Sequence, residues 1–225
     1  MKKINWQYAI GELFLIFFGI TLAIAFQNWN EGVKEQQKET ASLLELQIAL
    51  NNDMEDVQAN INTHKRCLER AQDVLQVLFS KEQRVPKNFV EQFLGMIDYT
   101  FLISDVSAYE YLKSEGLQLV KNDSLRKQIS YLYDVAYESI YGIEKNYQPI
   151  RESLAVTMKE YFVLEESGKL YLPAKNLKKM QQENAVKFDI KSIQYSHANM
   201  IRRYEQKILP ALQKLIKSLD KELKK

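Results

Sequence analysis

The stretch YAIGELFLIFFGITLAIAFQNWNE, residues 8–31, constrains the fold more than any other part of the chain. Residues 9–26 contain one charged side chain, Glu12. These 18 residues form about 27 Å of helix at 1.5 Å per residue, and the flanking residues extend it across the hydrocarbon core of a bilayer. The pattern predicts a transmembrane helix over residues 9–30 that anchors the chain in a lipid bilayer.

Residues at the ends of the span predict its orientation. Lys2 and Lys3 precede it, and the positive-inside rule places such a flank in the cytoplasm. Amphipathic aromatic rings favour the headgroup layer, and those at the two edges are Trp6, Tyr8 and Trp29. We therefore expect residues 1–8 to form a short cytoplasmic N-terminus. Residues 31–225 are expected to form an extracytoplasmic helical domain.

A cleaved signal peptide is the alternative interpretation, because residues 23–25, Ala-Ile-Ala, have the small-x-small pattern of a cleavage site. Against it, Glu12 interrupts the apolar region and no helix-breaking residue precedes the supposed cut. Lys34 and Lys38, on the other side of the span, weaken the case for this orientation, although charges on a long following domain count for little in the positive-inside rule. A retained, single-pass anchor is the expectation.

One face of the span is mostly small or polar, whereas the rest is Phe, Leu and Ile. At about 100° per residue this face carries Glu12, Ile16, Gly19, Ala23, Gln27 and Asn30. Gly19 and Ala23 let a second backbone approach closely, as interfaces between membrane helices require. The pattern predicts an oligomer seam, here called the Glu12 face, made by Glu12, Gly19, Ala23, Gln27 and Asn30.

Glu12 itself has three interpretations. In the first turns of the helix it can reach the cytoplasmic headgroups and complement the helix dipole. It can instead lie in the seam, since intramembrane carboxylates usually point away from lipid. The third and rarest is a ring of Glu12 side chains that handles protons or cations. We expect the seam, most simply between copies of this chain, alone or with another membrane protein.

Beyond the membrane, glycine and proline are few, 7 and 4 of 225 residues, and the periodic stretches are long. Heptads beginning at Leu43 predict a long helix with a coiled-coil seam, separated from the span only by Gly32. One set of seam positions is Leu43, Leu50, Val57, His64, Ala71 and Leu78. The other is Met54, Ile61, Leu68 and Leu75, interrupted at Gln47.

Two further helical stretches follow, separated by turn residues. The second helix begins after Pro86 and stops at Gly116. The third begins at a cap formed by Asn122 or Asp123 and stops at Ser167-Gly168. Its seam is predicted to be Leu125, Ile129, Leu132, Ala136, Ile140, Ile143, Tyr147, Ile150 and Leu154.

The fourth helix begins between Lys175 and Asp189. Its predicted inward residues are Ile190, Ile193, His197, Met200, Tyr204, Ile208, Leu212, Leu215 and Leu219. Pro149 and Pro210 should kink the third and fourth helices, and an interruption of the second is expected near Ser104. The expected fold is all-α: the transmembrane helix continues into an antiparallel four-helix bundle with long helices.

Motifs that carry chemistry are absent from the sequence. It has no Gly-rich phosphate loop, no G-x-S-x-G, no H-E-x-x-H and no pair of cysteines. His64 and Cys67 share a helical face, and His197 is expected at a comparable height, but a zinc site from these three would lack a fourth ligand. Packing is the stronger interpretation, so we predict no catalytic, cofactor-binding or metal-binding residue.

Two other patterns bear on partners. Lys+Arg 31 and Asp+Glu 29 are interspersed, so no basic block supports a nucleic-acid partner. Five tyrosines straddle the third helix's seam, and packing explains them better than an aromatic groove for a peptide or glycan, which stays an alternative. They are Tyr131, Tyr133, Tyr137, Tyr141 and Tyr147.

Two stretches resemble an uncharacterised family of single-span membrane proteins of Bacteroidetes-type bacteria. In the first stretch the matching positions are Tyr8, Gly11, Glu12, Gly19, Asn28, Trp29 and Asn30. In the second they are Tyr109, Leu112, Ser114, Gly116, Asn122, Leu125 and Arg126. The chain departs from the family at Glu115, where a second small residue is common. The resemblance implies an inner-membrane anchor with an extracytoplasmic helical domain, and it implies no activity.

The combined expectation is a non-enzymatic, membrane-anchored oligomer that acts as a scaffold, partner subunit or sensor at the outer face of the inner membrane. The alternative is an ion- or proton-handling transmembrane bundle that uses Glu12.

Overall fold

A computed structural model describes residues 6–81 and 83–224, with the side chains of the first helix described from Ile10 onward. Within that part the chain forms six helices and one small hairpin. Lys2, Lys3 and the side chains of Trp6 and Tyr8, which carry part of the predicted orientation, lie outside the described residues.

The elements follow one another with short connections. Helix α1 is Trp6–Phe79, α2 is Phe89–Met96 and α3 is Ser107–Glu115, followed by a 3₁₀ turn at Leu117–Leu119. Helix α4 covers residues 123–161 through the segments Asp123–Tyr131, Leu132–Tyr137, Glu138–Glu144, Lys145–Tyr147 and Gln148–Tyr161. The strands β1 and β2 are Val163–Leu164 and Leu170–Tyr171. Helix α5 is Ala174–Gln182, and α6 covers residues 184–222 through Asn184–Arg203, Tyr204–Ile208 and Leu209–Glu222.

Helix α1 is unbroken over 74 residues, about 111 Å at 1.5 Å per residue. It passes through Gly32, as the short spacing between the two periodic stretches predicts. None of residues 10–38 is buried. The first buried side chain of the helix is Glu39, whose carboxylate accepts a hydrogen bond from the Lys121 N–H at 2.8 Å. The helix therefore projects from the rest of the molecule at its N-terminal end.

The chain runs up α1, down through α2 and α3, up α4 and down α6. The part of α1 from Glu39 onward packs on α6, and on α2 near its far end, while α4 packs on α6. The second leg is not one long helix, because the non-helical residues 97–106 separate α2 from α3. The interruption expected near Ser104 is thus present and wider than predicted.

Two apolar clusters fill the interior. The cluster nearer the projecting helix joins α1, α3, α4 and α6 around Leu50, Tyr137 and Leu215. The far cluster joins α1, α2, α5 and the hairpin ends to the adjoining parts of α4 and α6, around Phe93 and Leu177. All nine residues predicted to point inward from the last helix are buried. In the third helix Ile143 and Ile150 are half-buried and the other seven predicted seam residues are buried.

The seam of α1 is rotated from its predicted position. The first predicted heptad set is buried throughout, but Met54 and Leu68 of the second set are only half-buried. The fully covered second set consists instead of Glu39, Leu46, Asp53, Asn60, Cys67 and Val74. Counting apolar residues misses this set because three of its six members are polar.

Two of the predicted helix boundaries are observed. The Asn122 side chain caps α4 by accepting from the N–H groups of Ser124 and Leu125, and α3 ends at Gly116, whose φ of 95° suits glycine. The third helix, however, ends at Tyr161, and Gly168 (φ 81°) lies in the hairpin turn instead. The hairpin replaces the last predicted turns of that helix.

Both predicted proline sites distort their helices without ending them. Pro149 is the second residue of its segment and follows a 3₁₀ turn at Lys145–Tyr147. Pro210 follows a π turn at Tyr204–Ile208, which accommodates the missing N–H and the ring. A second π turn, Leu132–Tyr137, contains no proline and packs against the first.

Candidate functional site

The first helix is the one described helix that is long and apolar enough to cross a membrane. Its most apolar 18-residue window has a mean hydropathy of 2.0, and none of that window is buried. The side chains from Ile10 to Phe26 therefore make no core within this chain, and apolar side chains on a free helix favour a bilayer or another protein.

The Glu12 face is unoccupied in the single chain. Glu12, Gly19, Ala23, Gln27 and Asn30 are all exposed. A methyl group added at Gly19 would meet nothing within 4 Å. The Gln27 amide donates to the Glu31 carboxylate one turn further on, at 3.0 Å. The structure thus places these residues on one free helix face, where none of them is buried.

The helical domain packs on the opposite side of α1. At about 100° per residue, Glu39, Leu46 and Leu50 lie roughly 160–180° from the centre of the Glu12 face, and all three are buried. Ile48 lies 36 positions after Glu12, roughly ten turns, and is 64% exposed. The Glu12 face therefore continues past the membrane segment along a free side of α1.

A buried polar layer, formed by His64, Ser196 and His197, lies between the two apolar clusters, and its centre is the histidine pair. The Nδ1 atoms of His64 and His197 are 3.0 Å apart, and His197 Nε2 lies 3.0 Å from the Met96 carbonyl oxygen. Because that carbonyl only accepts, His197 carries its proton on Nε2 and His64 donates from Nδ1. His64 Nε2 is then a buried acceptor with no partner in the described chain.

Burial sets the charge of this pair. It lowers the pKa of His64 to about 3, with the neighbouring His197 contributing in the same direction, and it also lowers the pKa of His197. Both rings are therefore neutral near pH 7. The predicted meeting of the two histidines is present, but the Cys67 thiol lies against the Asp98 carbonyl instead. Among the described residues no group of three or more His, Cys, Asp or Glu is placed to hold a metal ion.

Three carboxylates hold the non-helical segment 97–106. Asp53 accepts from the Asp105 N–H at 2.9 Å, Asp56 from the Ile103 N–H at 3.0 Å and Glu144 from the Leu102 N–H at 3.1 Å. Two of them also accept from buried tyrosines, Asp53 from Tyr137 at 2.6 Å and Glu144 from Tyr204 at 3.3 Å. Side chains from α1 and α4 thus replace the backbone bonds that a helix would make here.

The predicted tyrosine run serves mainly as packing. Tyr133, Tyr137 and Tyr147 are buried, whereas Tyr141 is half-buried and Tyr131 is exposed. Tyr133 stacks on Tyr109 of α3 with ring centroids 4.4 Å apart. Burial raises the pKa of Tyr147 to about 12, so its hydroxyl stays protonated and donates to the Ser196 carbonyl at 2.9 Å.

A cleft of about 810 Å³ opens beside the polar layer, between segment 97–106 and α4. Its walls include Tyr99, Phe101, Tyr141, Glu144, Lys145 and Arg151. The Arg151 guanidinium lies 4.3 Å from the centre of the Tyr99 ring. Burial raises the pKa of Glu144. The sequence analysis kept an aromatic groove as an alternative for the tyrosine run, and Tyr141 of that run lines this cleft. It did not single out the charged residues Glu144 and Arg151, whose signal was an acidic and a basic residue interrupting an aromatic helix face.

These features define a class of protein: a helical domain built on one long helix whose projecting N-terminal part is apolar enough to span a membrane. The chain belongs to the family of unknown function DUF6090, whose model matches residues 12–195. The match covers the second motif of the resemblance and, in the first, the positions from Glu12 onward. Neither the curated proteins nor the solved structures contain a match.

Proposed function

We propose that this protein is a membrane-anchored, non-enzymatic oligomer whose periplasmic helical domain acts as a scaffold, partner subunit or sensor. In this proposal residues 1–8 are cytoplasmic, residues 9–30 span the inner membrane and residues 31–225 form the domain outside it. Copies of the chain associate through the Glu12 face of α1, and the rest of the molecule is carried on the outer side of that assembly.

The observation that carries the proposal is the position of the domain on α1. Glu39, Leu46 and Leu50 are buried against the other helices, on the side of α1 opposite the Glu12 face. Two copies can therefore bring their Glu12 faces together without a clash between the helical domains. Symmetric association is the simplest use of such a face, since one sequence then provides both sides.

Energetics of the span favour the same contact. A carboxylate facing lipid costs about 2.5–3.5 kcal/mol at the bilayer centre and less near the interface, where Glu12 is placed. A partner helix supplies hydrogen bonds, and Gly19 and Ala23 allow the close approach that those bonds require. The other faces of the span carry bulkier side chains than the Glu12 face, among them Phe14, Phe17 and Phe18.

The contact extends beyond the membrane in this proposal. Copies inserted in the same orientation run parallel, so equal positions of α1 lie at equal heights. Within about 35° of the centre of the Glu12 face, the next residues are Lys34, Gln37, Ala41 and Ile48, all exposed and all uncharged except Lys34. The next charged residue within the same range is Glu55. The proposed contact is therefore a parallel helix pair that extends from the span to Ile48.

Disulfide crosslinking tests the proposal directly. In a chain with Cys67→Ala, single cysteines at Gly19, Ala23, Ala41 and Ile48 are expected to crosslink between copies in native membranes. Matched controls are cysteines at Phe17 and Thr40, which lie at similar heights but roughly 140° and 80° from the centre of the face. Equal crosslinking of the Ala41 and Thr40 cysteines, and of those at Ala23 and Phe17, would contradict an ordered seam.

Substitution of Glu12 separates this function from ion handling. Glu12→Gln removes the carboxylate from the seam, so the proposal expects a weaker complex and no change in ion flux. If proton or cation flux in vesicles carrying the wild type disappears in Glu12→Gln while the complex keeps its mass, the transmembrane bundle handles ions instead.

A further inference from the structure

We propose that the cleft between segment 97–106 and α4 binds a short zwitterionic peptide, with the peptide amino group at Glu144 and its carboxylate at Arg151. This ligand site is separate from the self-association of α1 and does not depend on it. The inference rests on two charged side chains that keep unused hydrogen-bonding capacity among the described residues, and on their spacing.

Arg151 is the first of these side chains. It is half-buried, and its guanidinium stacks on Tyr99 at 4.3 Å from the ring centre. Its Nε is buried without a partner, and no described residue forms an ion pair or hydrogen bond with it. A guanidinium removed from bulk water without a counter-charge is costly, and a carboxylate bound in the cleft would relieve that cost.

Glu144 is the second. It is only 7% exposed, and its Oε1 accepts from both the Leu102 N–H and the Tyr204 hydroxyl at 3.1 and 3.3 Å. Its Oε2 has no hydrogen-bond partner in the described part of the chain, and the residue lines the cleft. The free oxygen is therefore an acceptor placed for an ammonium group.

The spacing of the two groups sets the size of the ligand. Glu144 and Arg151 are seven positions apart on α4, about 10 Å along the helix axis. An extended peptide covers about 3.3–3.6 Å per residue, so about three residues reach from one group to the other. A free amino acid has its two charges too close together to reach both.

Among the neighbouring charges, Glu138 favours the peptide amino group at the Glu144 end of the cleft. Glu138 also lines the cleft, on the side of Glu144 away from Arg151, and Lys145 lies between the two groups. Glu152 is next to Arg151 but accepts a hydrogen bond from Gln148 at 2.9 Å. The aromatic rings of Tyr99, Phe101 and Tyr141 provide apolar walls for the peptide's side chains.

Calorimetric titration of the full-length protein in mild detergent tests this inference. The probes are trialanine and Ala-Phe-Ala, each also with an acetylated N-terminus or an amidated C-terminus. The free peptides are expected to bind, Ala-Phe-Ala more tightly, and either terminal block should weaken binding by roughly tenfold or more, because each removes a charge-assisted bond. Glu144→Gln and Arg151→Gln should weaken binding of the free peptides by a similar factor.

Two exposed substitutions serve as controls, Glu69→Gln and Arg202→Gln, and both should bind like the wild type. Continued protection of the buried Cys67 from a thiol reagent shows that each variant is folded. The inference is overturned if neither peptide binds at millimolar concentration, or if blocked peptides bind as well as free ones. Equal affinity for acetate or isopropylamine alone would likewise overturn it, since that result describes a site for one charge.

Discussion

Asp53 lies on the covered face of α1, at a heptad position where an apolar residue is usual. Burial raises its pKa to about 6, although the hydrogen bonds from Tyr137 and the Asp105 N–H act in the opposite direction. Its carboxylate also holds segment 97–106 in place. One polar residue therefore links a core tyrosine, a non-helical segment and the long helix.

Asp53→Asn should change how stability depends on pH. The folded protein keeps the Asp53 proton up to about pH 6, whereas the unfolded chain loses it near the ordinary value of 3.8. The stabilisation that comes from the raised pKa of Asp53 is thus complete below about pH 4 and is lost as the pH rises through about 6. The unfolding free energy changes by up to about 3 kcal/mol over this range. The variant lacks this change.

Thermal unfolding of the full-length protein in mild detergent, followed by near-UV circular dichroism, measures the effect. The quantity to compare is the difference in unfolding free energy between wild type and Asp53→Asn at each pH. The histidine pair contributes with the opposite sign, because its lowered pKa values reduce stability as the pH falls below about 6.5. That contribution is common to both proteins and cancels. A difference that does not vary with pH would contradict the raised pKa.

At the scale of elements, α1 shows what sequence periodicity does and does not reveal. The set from Leu43 to Leu78 is predicted correctly, and so are the cap at Asn122 and the inward residues of the last helix. The parallel set containing Asp53 and Asn60 is missed because burial of a polar side chain depends on its partners. Those partners, Tyr137 and segment 97–106, are more than forty positions away and invisible to a local pattern.

Ile61→Ala tests the observed rotation of the α1 seam. Ile61 is 2% exposed, so truncation should lower the unfolding free energy by about 2–4 kcal/mol. Leu68→Ala, from the same predicted set but half-buried, should lower it by roughly half as much or less, since its side chain is already partly in water. Chemical denaturation of the two variants gives the values. Equal losses would place Leu68 in the core and restore the predicted seam.

At the scale of the whole molecule, the up-down-up-down path follows from the breaks at Pro86, Gly116 and the hairpin. The full length of the break between α2 and α3 could not be predicted, because the backbone of segment 97–106 is held by three carboxylates from two distant helices. An aromatic groove at the tyrosine run was only an alternative, and the extent of the cleft was missed for the same reason, since one of its walls is that segment. What periodicity predicts well is helices with a continuous apolar stripe; what it misses is backbone held by side chains.

The proposed topology predicts which residues meet the outside. With Cys67→Ala, a cysteine at the exposed Lys221 should react with a membrane-impermeant thiol reagent on intact spheroplasts. A cysteine at Lys3 should react only after lysis, because the positive-inside rule keeps that flank in the cytoplasm. If the Lys221 cysteine is labelled only after lysis, the domain lies in the cytoplasm and the proposed orientation is wrong.

Assembly through the Glu12 face predicts the effect of Gly19→Leu. Leucine keeps the span apolar, so insertion should be unchanged, but its side chain would occupy the space above Gly19 that is open in the single chain and block close helix packing. The complex should dissociate, as measured by its native mass in mild detergent. Phe17→Leu is the matched control, since it places the same side chain on another side of the span and should leave the mass unchanged. If Gly19→Leu keeps the wild-type mass, or the wild type is a monomer at every concentration, the face is not a contact. Interaction of Glu12 with the cytoplasmic headgroups then accounts for a carboxylate near the end of the span.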